Sequence, residues 1–454
     1  MSRVLIVSGD SHVGAPVSMI RPYLEGRYHG WLDEFEREAE ERAARIYVFS
    51  TPSYETLDIV DTEGAFRSGG VLGAWDLDRR LREMDREGVT AELLIEAHQL
   101  AISPFFAQDS PRPYPADLRA AGARAHHRWL ADWMAQADGR LLAVADPGPC
   151  LDMDETLKEL RWAAEHGFRS VSVPGKTTDP ALPPLHDAHF EPFWSACAEL
   201  GMVLSVHAGH GMAQGEMSDF FKKVAHETEG RGMTQAELLG VITDMSRGTG
   251  SPFELNWLPL EITWEMMTSG IFDRHPDLQV ALTEVRADWV PAALSYLDSR
   301  VARGDISLRQ KPSEYWGQHC WLGASSIKKS EVRLRHEIGI DRMMFGRDYP
   351  HPEGTWPNTL DWIRESLGDL PEAEVRLLLG ENAIKCYGLE RDKLMKIAER
   401  IGPDIDDLLG HQGETDPRIV ENFERGGYTK ASVVRDVEMA EVFRTGLPPV
   451  GASH

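Results

Sequence analysis

Eight short apolar runs, each separated from the next by a stretch of helical periodicity, limit the folds open to this chain more than any other feature. The runs fall near residues 3–8, 91–96, 140–145, 170–173, 202–207, 277–282, 320–323 and 343–345. Between them, residues 76–87, 117–137, 151–166, 190–200, 289–303 and 328–338 repeat apolar side chains at helical spacing, and 356–366 and 373–387 close the series in the same way. Strands joined by helical crossovers run parallel, since tight hairpins join only antiparallel neighbours. The pattern therefore predicts an α/β fold, a (β/α)8 TIM barrel. A doubly wound open sheet is the rival, but no Gly-x-Gly-x-x-Gly follows the first strand.

Two connections break the rhythm. Residues 14–73 and 208–271 are far longer than plain crossovers, and such length suits segments that cover a substrate. The barrel is expected over residues 1–390. The remainder, 391–454, begins helical and then turns polar, with Gly426-Gly427 and Leu447-Pro448-Pro449 as breakers. This extension is expected to pack on the barrel or on a neighbouring subunit, which favours a homo-oligomer, a dimer exchanging tails.

Charge and cysteine usage narrow the partners. Lys and Arg number 48 against 73 Asp and Glu, a net charge of −25, and such a field repels phosphate backbones, so no nucleic acid is expected. No apolar run approaches the ~20 residues of a membrane span, and Val4-Leu5-Ile6-Val7 is too short for a leader. Cys150, Cys197, Cys320 and Cys386 are scattered and form no Cys-x-x-Cys pair; reduced core thiols are expected, in keeping with the cytoplasm.

The ends of the apolar runs carry the candidate chemistry. Asp10 and His12 follow the first, His207 the fifth, Glu284 the sixth and Asp348 the eighth. All would lie on the C-terminal face, where barrels build their sites. Asp10 and His12, two apart in an extended segment, point to one side and can share one ion. Three carboxylates and two imidazoles without a thiolate suit Fe or Mn as well as Zn, and disfavour a structural zinc. Taken singly, an acid here can be a helix cap and a histidine a core residue. His98, His210 and His351 are further candidates to ligate a second ion or to touch substrate, Tyr54 could reach the mouth from the first insertion, and Lys176 stands just past the fourth run. His126-His127, flanked by Arg and Trp, are read as surface, and His275 belongs to the opposite end of the barrel. Neither Gly-x-Ser-x-Gly nor a phosphate-binding Gly-rich loop is present.

Asp10-Ser11-His12, the segment Phe272-Asp273-Arg274-His275-Pro276-Asp277-Leu278, Gly346-Arg347-Asp348-Tyr349-Pro350-His351 and Glu381-Asn382-Ala383 together resemble the amidohydrolase-related superfamily. More narrowly, they are similar to the group holding aminocarboxymuconate-semialdehyde decarboxylase and resorcylate decarboxylases. The resemblance implies a metal-dependent, usually oligomeric barrel with Asp10, His12, His207 and Asp348 as ligands. It also implies a histidine after strand six, where this chain has Glu284. Glu284 followed by Trp289 looks more like a branch of dinuclear oxygenases. The leading expectation is therefore a dinuclear non-haem Fe/Mn enzyme that hydroxylates a small, carboxylated substrate with O2. In it His98 or His210 completes the second ion, Asp348, His210 and His351 serve catalysis, and Tyr54 and Trp289 contact the substrate. The alternative is a mononuclear Zn or Mn hydrolase or non-oxidative decarboxylase with Asp348 as its base, and an inactive partner subunit is a third reading.

Overall fold

The computed structural model describes residues 3–37, 54–96, 106, 114–175, 178–208, 252–351 and 354–424. Eight parallel strands follow one another round the sheet in sequence order: β1 (Ile6–Val13), β2 (Val89–Glu96), β3 (Leu141–Ala145), β4 (Phe168–Ser172), β5 (Val203–His207), β6 (Val280–Thr283), β7 (Cys320–Ser325) and β8 (Met343–Gly346). The ring closes where β1 meets the residues just past β8. The His12 N–H donates to the Tyr349 carbonyl at 2.7 Å and the Asp348 N–H to the Asp10 carbonyl at 2.8 Å. The predicted (β/α)8 barrel is the observed fold.

The first strand runs further than the apolar run suggests. It continues through Ser8-Gly9-Asp10-Ser11-His12 to Val13 with every residue buried. Polar side chains are tolerated there because they are hydrogen-bonded: the Ser8 hydroxyl donates to the Asp10 carbonyl at 2.7 Å and lies 3.1 Å from the Ser11 hydroxyl. The pairing with β2 slips between Ser8 and Ser11. Such a bulge re-aims the side chains that follow it.

Alternate strand residues, among them Val7, Leu93, Val144, Val203, Ala281 and Met344, face inward and pack on one another. The same cluster includes Tyr387 from the helix Asn382–Tyr387, and Leu394, Ile397 and Ala398 from the helix Arg391–Ile401. Beyond that helix the Val4 N–H donates to the Pro403 carbonyl at 2.9 Å, next to the start of β1. The start of the extension thus seals the N-terminal end of the barrel, opposite the candidate site. The chain then passes along the helix Thr359–Leu367, where the Gly413 N–H meets Glu365 at 2.9 Å. Its described part ends at the helix Pro417–Glu424, with Phe423 against Trp362 at 5.1 Å and its carbonyl accepting from Lys328.

His126 and His127 are not on the surface; they are 3% and 0% exposed. Their helix, Ala116–Met134, is covered on two sides. His127 places Nδ1 2.7 Å from Glu159 and accepts the Asp146 N–H on Nε2 at 3.0 Å. His126 lies against Phe106 and Trp129 with its ring tilted to both, and burial pushes its pKa down to about 3.

The end of the first insertion is clamped against the residues after β8. Tyr349 donates to the Gly70 carbonyl and packs on Trp356. A methyl on Gly73 would collide with the Tyr349 hydroxyl and lie 3.1 Å from the Arg80 backbone. Gly73→Ala is therefore expected to destabilise the fold by about 1–3 kcal/mol through overpacking. A thermal melt matching wild type would show that this contact yields freely.

Candidate metal centre

Each donor reaches the mouth because a strand ends beneath it. β1 delivers Asp10 and His12, β5 ends on His207, Glu284 is the first residue past β6, and Asp348 lies two residues past β8. Glu284 and Asp348 share an unusual backbone, with φ of 54° each. A side-chain-bearing residue in this left-handed region is strained by on the order of 1 kcal/mol or more, and persists where neighbours hold it. The holds are present: the Glu284 N–H donates to the Gly323 carbonyl at 3.0 Å, and the Asp348 N–H to Asp10 as above. The strain turns both carboxylates towards the cluster.

The donors converge. His12 Nε2 lies 2.9 Å from Asp348 Oδ1 and 3.7 Å from Asp10 Oδ1, and His207 Nε2 lies 3.7 Å from Asp10 Oδ1 and 3.3 Å from Glu284 Oε2. His351 stacks on His12 at 3.9 Å and sets Nδ1 3.3 Å from Asp348 Oδ1. Among the described residues two triads therefore have donor atoms close enough for one cation, Asp10–His12–His207 and His12–Asp348–His351. Separations near 3 Å are those of ligands around an ion held at about 2.1 Å.

Electrostatics and tautomers agree with an ion-binding role. Asp10, His12 and Asp348 are fully buried, and several carboxylates in one buried pocket require a positive charge. Among the described residues neither His12 Nε2 nor His207 Nε2 has a hydrogen-bond partner of good geometry, although both atoms are buried. The His207 Nδ1 faces the Ala208 carbonyl at 2.9 Å, which fixes the proton there and leaves Nε2 as the donor to a metal. Burial, with His351 adding to it, holds the His12 pKa well below its ordinary value, so this ring is neutral as a ligand must be. Burial acts the same way on His207 but is outweighed by the Asp10 and Glu284 carboxylates, which raise it to about 10. The donor set fits a divalent cation such as Mn, Fe or Zn.

Of the residues anticipated from sequence, Asp10, His12, His207, Glu284, Asp348 and His351 come together. His98 and His210 lie outside the described residues, as does Lys176. Tyr54 opens the helix Tyr54–Val60, and its side chain too is outside the described set. Trp289 is 1% exposed within the main hydrophobic core, edge-on to Trp316 at 6.3 Å, a setting that suits packing. Sequence reasoning missed Arg80, Glu87, Glu92 and Arg347, which lie buried behind the ligands. An acid, Glu92, in the middle of a mostly apolar strand was the available signal.

The amidohydrolase family model matches residues 69–389. The γ-resorcylate decarboxylase of Rhodococcus jostii (strain RHA1) is 25% identical over 343 residues, covering 71% of this chain and 94% of that protein. Among solved structures, the 5-carboxyvanillate decarboxylase of Novosphingobium aromaticivorans, complexed with manganese and 4-hydroxy-3-methoxy-5-nitrobenzoic acid, aligns with a TM-score of 0.58 at 19% identity, over 85% of this chain and 96% of that one. A dihydroxybenzoic acid decarboxylase of a Polaromonas species, with manganese and 2-nitroresorcinol bound, aligns at 0.55 and 18%, over 86% and 99%. Among the described residues no helix is long and apolar enough to cross a membrane. With the family model covering most of its length and eight parallel strands in a barrel, this chain belongs to the amidohydrolase family, as a metal-dependent enzyme.

Proposed function

We propose that this chain is a divalent-metal-dependent, non-oxidative decarboxylase of a small aromatic carboxylic acid. The observation that carries the reading is the convergence of Asp10, His12 and His207 at the barrel mouth, with Asp348 2.9 Å from His12 Nε2, in a chain whose relatives include decarboxylases of aromatic acids. Those four residues are assigned as ligands, and Glu284, 3.3 Å from His207 Nε2, as a further oxygen donor. Manganese is the first cation to test, because two related barrels carry it. When bound, the cation supplies a Lewis acid that neutralises and orients an anionic substrate.

Loss of CO2 from an aromatic acid requires a proton to replace the carboxylate on the same ring carbon. We assign that delivery to Asp348, acting as an acid and not as the base expected of it for hydrolysis or decarboxylation. The proton passes from Asp348 to the ring carbon, the carbon–carboxylate bond breaks, its electron pair restores the aromatic ring, and CO2 leaves. His351, 22% exposed at its side chain and 3.3 Å from Asp348, can return a proton from solvent.

The alternative of O2 activation by two ions has less support. Both ligand triads among the described residues use His12, and the lone-pair nitrogen of one imidazole serves one ion at a time. The deciding experiment is anaerobic incubation of the Mn2+-loaded protein with a panel of hydroxylated and methoxylated benzoates, following CO2 and the phenolic product. Turnover without O2 is expected; product that appears only with O2 would return the oxygenase to first place.

A dependence on pH follows from His207. With its pKa near 10, the metal-free ring carries a proton at neutral pH, and a cation entering at Nε2 must displace it. Mn2+ affinity is expected to rise about tenfold per pH unit from pH 6 to 8, the slope of one released proton. Equilibrium dialysis giving a Kd flat across that range would remove His207 from the ligand set.

A further inference from the structure

Behind the ligands lie four charged side chains that the proposed reaction does not use. Arg80, Glu92 and Arg347 are 0% exposed and Glu87 is 3% exposed. Glu92 is the shared member. Its Oε2 accepts from Arg80 Nε at 2.6 Å, and its Oε1 accepts from Arg347 Nε. The two arginines then diverge. Arg80 donates from Nη1 to the backbone carbonyl of His12 at 2.6 Å and reaches the Gly73 carbonyl at 3.3 Å. Arg347, the residue before Asp348, donates from Nη1 to Glu87 at 2.8 Å, while its own N–H donates to the Ser8 hydroxyl at 2.9 Å. Ser8 passes that contact on to the Asp10 carbonyl. Both guanidiniums also stack on the Tyr349 ring, at 4.6 and 4.4 Å.

Two cations and two anions cancel, so the group carries no net charge. Burying four charges is a poor way to gain stability, since well-packed apolar side chains of similar volume commonly do as well or better. What apolar side chains cannot do is grip a particular carbonyl or fix the residue beside a ligand. We infer that Glu92 is a positioning residue of the metal centre: through Arg80 it holds the backbone that carries His12, and through Arg347 the backbone that carries Asp348. One carboxylate thereby sets the spacing of two donors that come from opposite ends of the chain. Glu87 meets Arg347 and the Thr359 amide and hydroxyl, at 2.9 and 2.8 Å for the latter two, but makes no contact with Arg80. It provides an internal control, equally buried and charged yet tied to only one of the two arms.

The inference rests on the reading that His12 and Asp348 hold the cation. The experiment measures Mn2+ binding to full-length wild-type, Glu92→Gln and Glu87→Gln proteins by equilibrium dialysis, with a thermal melt of each metal-free protein alongside. Glu92→Gln is expected to weaken Mn2+ by about 10–100-fold, the usual effect of losing a residue that orients ligands, whereas Glu87→Gln, which slackens only the Arg347 arm, lowers the melting temperature and weakens Mn2+ less. Should Glu92→Gln fail to fold, Arg80→Lys keeps the charge and loses the forked geometry that reaches His12; it too is expected to weaken Mn2+. Unchanged Mn2+ affinity in the folded variant, or losses in both Glu variants that simply track their melting temperatures, would overturn the positioning role. A wild-type protein that bound no Mn2+ would instead overturn the metal reading and this inference with it.

Discussion

Asp348→Asn is expected to lower kcat by about 10²–10⁴-fold, the contribution of a positioned proton carrier, with a much smaller change in KM. Asparagine keeps the size of the side chain and one carbonyl oxygen but can neither give up nor take back a proton at neutral pH. The left-handed backbone at residue 348 (φ 54°) makes asparagine the apt replacement, because Asn tolerates this conformation better than most residues. Measuring Mn2+ binding on the same variant separates the two roles proposed for Asp348. If Mn2+ saturates the variant and turnover stays within tenfold of wild type, Asp348 is a ligand only and the proton comes from elsewhere.

The second large effect concerns the end of the barrel opposite the site. Truncation after Gly388 is expected to prevent folding, whereas truncation after Gly410 leaves a folded, metal-binding protein. The first cut removes the helix Arg391–Ile401, whose Leu394, Ile397 and Ala398 pack on the inward-facing strand residues. Exposing that surface and losing two large aliphatic side chains, at about 2–5 kcal/mol for each Leu or Ile lost, consumes most of the 5–15 kcal/mol that a typical domain has in hand. The second cut spares the seal; among the described residues it removes 411–424, losing the contact of the Gly413 N–H with Glu365 and the packing of the helix Pro417–Glu424 on Trp362, Ile59 and Lys328. Expression, circular dichroism and Mn2+ binding of both truncations decide the matter. A folded barrel ending at Gly388 would show that the strands need no cover.

Much of the architecture could be read from the residues alone, for a reason that also marks its limits. Strand ends were legible because each delivers a polar residue just after an apolar run, as His207 does after Val203-Leu204-Ser205-Val206. Asp10, His12 and Asp348 stood out in the same way. The extent of β1 was not legible, because Ser8 and Ser11 look like a loop until their buried hydrogen bonds are seen. His126 and His127 misled because Arg and Trp neighbours suggest a surface, while the helix that holds them is enclosed on two sides. Glu92 passed unnoticed because one of its two partners, Arg347, is 255 residues away and the other, Arg80, lies on a separate helix. Amphipathicity announces that the helix Arg391–Ile401 buries one face, but not that the face closes a barrel.

The closing seam has a kinetic meaning. Ser8 and Arg347, which meet there, are 339 residues apart, and closing so long a loop costs entropy, so this pairing is expected to form late. His12 and Asp348 stand on the two sides of that seam, and their donor atoms come together only once it has formed. A cation held by both residues, as proposed, would recognise the completed barrel and have little purchase on what precedes it. It should therefore leave the refolding rate almost untouched and act on the reverse process, lengthening the lifetime of the native state by holding the first and last strands together.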